Sequence, residues 1–120
     1  MDTNTAIKAL AALAQETRLK AFKMLVEAGP KGLPAGLMSE RLEVPHNTLS
    51  FHLSHLSNAG VIQSRKEGRS VIYSANFQFT RDLIRFMVEN CCQADSVSCR
   101  VDAQGAKEII EFFTEKECCG

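Results

Sequence analysis

No stretch of this chain is apolar over the roughly 18–20 residues that a bilayer crossing requires, and it has no internal repeats or low-complexity segments. The amino terminus, MDTNTAIKALAAL, starts acidic and lacks the basic-then-apolar order of a secretory signal. These absences lead us to expect a cytoplasmic protein without a membrane partner, in a compartment that keeps thiols reduced. An excess of charge of either sign is also missing, since 14 Lys and Arg balance 14 Asp and Glu. At 120 residues the chain fits a single domain with a modest core, and burying more surface would need a partner subunit. Cysteine is concentrated late. Three of the five cysteines fall in ENCCQADSVSCR (residues 89–100) and two more at 118 and 119. Five is an odd number, so any intramolecular disulfide scheme leaves one thiol over. In a reducing compartment, clustered cysteines more often bind metal or sense redox state than staple a fold.

The zero net charge hides an asymmetry. Residues 1–44 carry six basic and five acidic groups, and residues 76–120 carry five and eight. Residues 45–75 carry Arg65, Lys66 and Arg69 against Glu67 alone, together with all three histidines. Only this middle stretch is biased towards phosphate.

Apolar spacing predicts a first helix over Thr5–Ala14 with Ile7, Leu10, Ala11 and Leu13 as its buried face. A second helix has Leu19, Phe22, Leu25 and Val26 on one face and stops at Gly29-Pro30. LPAGLMSERLEVP reads as a short helix ending before Pro45, which then opens another in HNTLSFHLSHLSNAG. In that helix Leu49, Leu53 and Leu56 face inward and Gly60 closes it. Its outward residues are His46, Asn47, Thr48, Ser50, Phe51, His52, Ser54 and His55. Nearly all can hydrogen-bond and few are charged, whereas a face that merely meets water usually carries Lys and Glu. VIQSR and SVIYSA then flank Lys66-Glu67-Gly68-Arg69, a hairpin signal with glycine at the turn. Phe79, Leu83, Phe86 and Met87 mark a further helix, capped by Asn76 and running into Cys91-Cys92. A polar loop follows, then a short helix around Ala106–Phe113 and a tail.

Two short helices joined by a tight turn, the second polar outside, followed by a basic hairpin, is the order of a winged helix-turn-helix. The expected class is therefore mainly α with a small β-hairpin wing. Residues 1–90 would form the DNA-binding and dimerisation domain, and 91–120 a cysteine-bearing loop, short helix and tail. The second helix would enter the major groove, and Arg65, Lys66 and Arg69 would reach phosphates or the minor groove. The plainer alternative is a helical domain whose polar helix and charged hairpin simply face water.

TRLKAFKMLVEAG, followed by LMSERLEVPHNTLSFHLSHLSNAGVIQSRKEGRSVIYS, resembles the ArsR/SmtB family of bacterial metal-responsive repressors over about residues 6–90. The resemblance implies a homodimer, formed through the first helix and the one ending at Cys91-Cys92, that binds a palindromic double-stranded operator when metal-free. The chain departs from the family at Gln15-Glu16, where many members carry Asp-Pro as a helix start.

Family members place metal sites in different elements. The cysteine cluster that some carry on the first helix of the helix-turn-helix has no counterpart in LMSERLEV, and FQFTRDLIRFMVENC lacks the histidine of the zinc-type site. His46, His52 and His55 all lie on the recognition helix and read as non-ligands. Cys91, Cys92 and Cys99 remain. Thiolates select soft ions, and three of them without a fourth ligand suit a trigonal-pyramidal ion with a lone pair, As(III) or Sb(III), one per subunit. A subset of arsenic-responsive members resembles this arrangement, which implies an inducer-binding loop within residues 91–120. Zinc would want a fourth ligand from Cys118, Cys119, Asp95 or another subunit. Adjacent cysteines on a regular helix point about 100° apart, so the helix must end or distort there for both to reach one ion. Cys118 and Cys119 read as accessory or dispensable.

The expected function is thus a transcriptional repressor released from its operator by As(III) or Sb(III), with no organic cofactor. Four alternatives stay open: an organoarsenical held by Cys91 and Cys92 alone, another thiophilic ion such as Cd(II), Pb(II) or Zn(II), a thiol redox switch, and incidental thiols. A thiol enzyme such as an arsenate reductase would need an anion-binding loop beside its cysteine, and no glycine-rich cradle flanks any cysteine here.

Overall fold

A computed structural model describes residues 1–90 of the chain. Five helices and three strands follow in the order α1 (Thr3–Leu13), α2 (Glu16–Ala28), β1 (Leu33–Pro34), α3 (Ala35–Leu42), α4 (His46–Ala59), β2 (Ile62–Glu67), β3 (Ser70–Ala75) and α5 (Phe77–Val88). The sheet is antiparallel in the order β1-β3-β2. No helix among the described residues is long and apolar enough to cross a membrane.

The alanine-rich α1 starts at Asp2, whose carboxylate accepts from the Thr5 N–H at 2.7 Å. Its buried face is not the expected one. Ala6, Ala9 and Ala12 face the core, whereas Ile7 and Leu10 are 57% and 42% exposed. Small side chains let α1 lie close against α4, and the larger apolar residues are left outside. A similar shift occurs in α2, where Ala21, Phe22 and Leu25 are buried and Leu19 stands 46% exposed. Gln15 supplies the cap that Asp-Pro would have given, its side-chain oxygen accepting from the Arg18 N–H at 2.8 Å.

Gly29 ends α2 at positive φ. The next two residues of regular structure form β1, which the sequence reading assigned to the start of a helix. Leu33 pairs with Tyr73 and Pro34 with Ile72, and the edge position suits a proline without an N–H. Gly32, at φ +74°, makes this pairing possible, because a Cβ there would run into the Tyr73 carbonyl oxygen. The α3–α4 turn is stitched twice. Ser39 Oγ donates to the Val44 carbonyl at 2.6 Å, and the Val44 N–H donates to the Ser39 carbonyl at 3.2 Å.

Helix α4 buries Leu49, Leu53, Leu56 and Ala59 and packs against α1, α2, α3 and β2. Gly60, at φ +90°, closes it, with the Val61 N–H donating to the Leu56 carbonyl. Strand β2 runs further than the sequence reading placed it. Lys66 pairs with Val71 and Glu67 with Ser70, so the turn shrinks to Gly68-Arg69, with positive φ at the glycine alone. This is the pattern of a II′ hairpin. Asn76 caps α5 by accepting from the Phe79 N–H at 3.1 Å. The helix stops at Val88, before the cysteine pair: Glu89 is extended and Asn90 has φ +63°. All five cysteines, and the expected loop, short helix and tail, lie outside the described residues.

Two glycines at similar φ separate backbone from steric cost. Gly68 (φ +63°) faces open space and Gly32 (φ +74°) faces a carbonyl. Gly68→Ala should cost about 1–2 kcal/mol for the left-handed backbone, and Gly32→Ala clearly more, read as midpoint shifts in urea at one fixed protein concentration. Equal costs would show that the β1–β3 approach is slack.

Candidate nucleic-acid interface

Burying the leucine stripe of α4 fixes what its other face presents. His46, Asn47, Thr48, Ser50, Phe51, Ser54, His55 and Asn58 are all exposed along it. Phe51 is 59% exposed at mid-helix and meets the His55 ring edge-on at 4.8 Å and the His52 ring at 5.7 Å. A helix of this kind offers hydrogen-bonding groups to base edges and one large apolar contact to a thymine methyl.

His52 differs from its neighbours on the expected outward list. It is half-buried, and its Nδ1 stands 3.4 Å from Arg18 Nη1, which can donate to the bare ring nitrogen. Burial first, then the positive charges of Arg18 and His55, hold the imidazole below the usual histidine range, which favours the neutral ring this contact needs. Arg18 Nε also donates to the Ala12 carbonyl at 2.6 Å. One guanidinium thus ties the last turn of α1 to the middle of α4.

The three wing cations are not equivalent. Arg65 donates from Nη2 to the Lys31 carbonyl at 2.6 Å, from Nη1 to the Pro30 carbonyl at 3.4 Å, and from Nε to Glu67 Oε1 at 2.9 Å. Its guanidinium fastens the wing to the loop after α2. Lys66 and Arg69 are exposed and belong to no ion pair among the described residues. Arg69 lines a groove of about 340 Å³ with Pro34, Gly36, His46, Ser50 and Tyr73. The first turns of α3 and α4 have no side-chain cap, so their N–H groups and positive dipole ends are available to an anion. The sequence reading missed the α3 start. Its signal is the exposed Gly36 after a proline, a helix opening with no side chain to block close approach.

The described residues hold no group of three or more His, Cys, Asp or Glu that could bind a metal ion. Cys91, Cys92, Cys99, Cys118 and Cys119 fall outside those residues.

Comparison with known proteins agrees with this architecture. A helix-turn-helix domain family matches residues 13–65. The transcriptional activator HlyU of Vibrio cholerae is 33% identical over 97 residues, covering 79% of this chain and 87% of the relative. A solved structure of that protein superposes with a TM-score of 0.60 over 78% of this chain and all of its own. A further structure holds it in the reduced form, at 32% identity and a TM-score of 0.59 over 76% of this chain and 93% of its own. An ArsR-like transcriptional regulator from Rhodococcus sp. RHA1 shares the fold at a TM-score of 0.67, with 22% identity, over 92% of this chain and 93% of its own. A homodimeric winged helix-turn-helix domain from Mycobacterium bovis shares it at a TM-score of 0.60, with 18% identity, over 76% of this chain and 82% of its own. With a polar helix presented on a leucine core beside a basic wing, and with these relatives, the chain belongs to the ArsR/SmtB family of winged-helix, DNA-binding transcriptional regulators.

Proposed function

We propose that the chain is a homodimeric repressor that holds a palindromic operator and releases it when Cys91, Cys92 and Cys99 take up As(III) or Sb(III). The observation that carries this reading is where the thiols stand relative to α5. The helix ends at Val88, Glu89 is extended and Asn90 is left-handed, so the regular helical run stops before the adjacent cysteines. A pair on a continuing helix would diverge by about 100°, so a helix that ends ahead of the pair is what the proposed site requires. Three thiolates within nine residues then supply the soft, three-coordinate donor set that a lone-pair ion prefers.

Dimerisation is supported by apolar surface left uncovered on the elements the family uses. Ile7 and Leu10 on α1 and Met87 on α5 are 57%, 42% and 52% exposed. A two-fold pairing of these helices would present two α4 helices about one DNA turn apart. Within each subunit, the exposed α4 side chains read base edges while Lys66 and Arg69 hold phosphates. His52 and Arg65 brace the reading surface from behind.

A second reading, a thiol redox switch on the same cysteines, is favoured by the relative from Vibrio cholerae having a structure in a specified reduced form. That relative is named an activator, so the sign of regulation belongs in the test. Reporter output is expected to rise with arsenite, and to rise in the absence of the protein.

Single replacements Cys91→Ser, Cys92→Ser and Cys99→Ser should each raise the arsenite concentration that releases operator DNA. The shift should be at least about tenfold, since even an outer-shell partner of a metal site is worth 10–100-fold. Thiolate–arsenic ultraviolet absorbance should give one ion per subunit. Release by arsenite at unchanged concentration in all three variants would place the site elsewhere, and release by peroxide alone, with disulfides in the mass spectrum, would select the redox switch.

Arg69→Ala should weaken binding to any duplex and flatten the salt dependence by roughly 0.9 in log–log slope per lost phosphate contact, about 1.8 for a dimer. An unchanged slope would remove the wing from the interface.

A further inference from the structure

A second groove, about 620 Å³, lies at the opposite end of α4 from the wing. Lys8 and Ala12 of α1, Arg18 of α2, and His55, Asn58 and Ala59 of α4 line it. Alanines leave it open. Two fixed cations, an imidazole and an amide supply its polar groups, and no carboxylate is among the lining residues. In a chain of zero net charge, such a local excess has to be accounted for. Lys8 is exposed and belongs to no ion pair among the described residues, whereas Lys20 and Arg65 are each matched with a glutamate. Arg18 is held in place by the Ala12 carbonyl and the His52 ring, so its charge is fixed at the groove before anything binds.

The groove is continuous with the reading surface. His55 and Asn58 prolong the exposed stripe of α4, and the Phe51 ring packs on the His55 ring at 4.8 Å, spanning the gap between stripe and groove. Length decides what this end can meet. His46 lines the wing-side groove and Asn58 this one, a separation of about 18 Å along the axis at 1.5 Å per residue. The major groove is only about 12 Å wide, so α4 laid across it brings its two ends to opposite strands.

We infer that this groove is a second phosphate clamp, in which Lys8 and Asn58 contact, and Arg18 attracts, the sugar-phosphate strand across the major groove from the one held by the wing. The inference rests on α4 being the reading helix, and it adds the dimerisation helix α1 to the DNA-contacting surface. The bound group is DNA backbone phosphate, so the contact carries no sequence preference.

The full-length protein and a duplex operator, titrated over a range of salt concentrations, test this. Lys8→Gln should lower the log–log salt slope by about 1.8 per dimer and weaken operator and scrambled duplexes by the same factor. Lys23→Gln removes an equal charge from the exposed face of α2 and should leave the slope unchanged. Asn58→Glu, which leaves the side chains of α1 unaltered, should weaken both duplexes more than tenfold with an unaltered melting temperature. Sedimentation at the same salt checks that the dimer persists, and if Lys8→Gln dissociates it, Asn58→Glu decides alone. The clamp is overturned if Arg69→Ala flattens the slope while Lys8→Gln and Asn58→Glu bind like the wild type. Should Arg69→Ala also leave the slope unchanged, the underlying placement of DNA on α4 and the wing falls with it.

Discussion

The buried stripe of Leu49, Leu53, Leu56 and Ala59 on α4 is the constraint around which the other elements are arranged. The three leucines are fully buried and contribute about 2 kcal/mol each from burial alone. Helices α1, α2 and α3 and strand β2 all pack against α4. Because the stripe cannot turn outward without losing that burial, the polar side chains on the other face cannot turn inward. A surface of Asn, Ser, Thr, His and Phe is thereby held facing out without charges of its own. The same stripe sets the distance between the two cationic grooves, one near each end of the helix.

Around this centre, cations divide into those that hold the frame and those left for a ligand. Arg18 joins the α1 terminus to His52, and Arg65 joins the wing to the Pro30-Lys31 loop. A guanidinium whose donors are taken by carbonyls is held in place, and this suits a strut better than a direct phosphate contact, while its charge still acts at a distance. Lys8, Lys66 and Arg69 have no ion-pair partners among the described residues. Helix α5, by contrast, is anchored mainly through its amino-terminal half, by the Asn76–Val61 hydrogen bond, Phe79 over Gly60 and the buried Leu83. Beyond Leu83 its residues are half-buried or exposed. On the proposed function, the cysteines follow this end of α5 in sequence.

Much of this was legible in the sequence because glycine, proline and asparagine punctuate it. Gly29-Pro30, Pro45, Gly60, Gly68 and Asn76 each mark a boundary that the structure keeps. The failures have physical causes. Large apolar residues outweigh alanine in any periodicity count, so the faces of α1 and α2 were assigned to Ile7, Leu10 and Leu19 when close packing selected Ala6, Ala9, Ala12 and Ala21. Strand β1 is two residues long and exists only through its pairing with β3, a tertiary contact without local signal. The roles of Arg65 and His52 depend on partners 34 residues distant, Lys31 and Arg18, so no spacing rule could find them. The cysteine site was legible only as chemistry, a donor set whose ligands all follow the described domain.

Neutrality of the whole chain bears on how such a regulator can be switched. A strongly basic protein would hold DNA through many diffuse contacts, and the loss of a few would release little. Here the cations proposed to meet DNA are few, Lys8, Lys66 and Arg69 in each subunit, with Lys8 and Arg69 lining the two grooves. Allosteric coupling between two sites is typically about 1–3 kcal/mol. Shared over the two halves of a dimer, that is about 0.5–1.5 kcal/mol per subunit, the size of one ordinary hydrogen bond's net contribution. In the proposed dimer, two-fold symmetry applies any change in the spacing of the α4 helices to both half-sites at once. On the proposed function, a small displacement at the end of α5 is therefore sufficient in energy to decide between holding and releasing DNA, provided that few contacts carry the affinity.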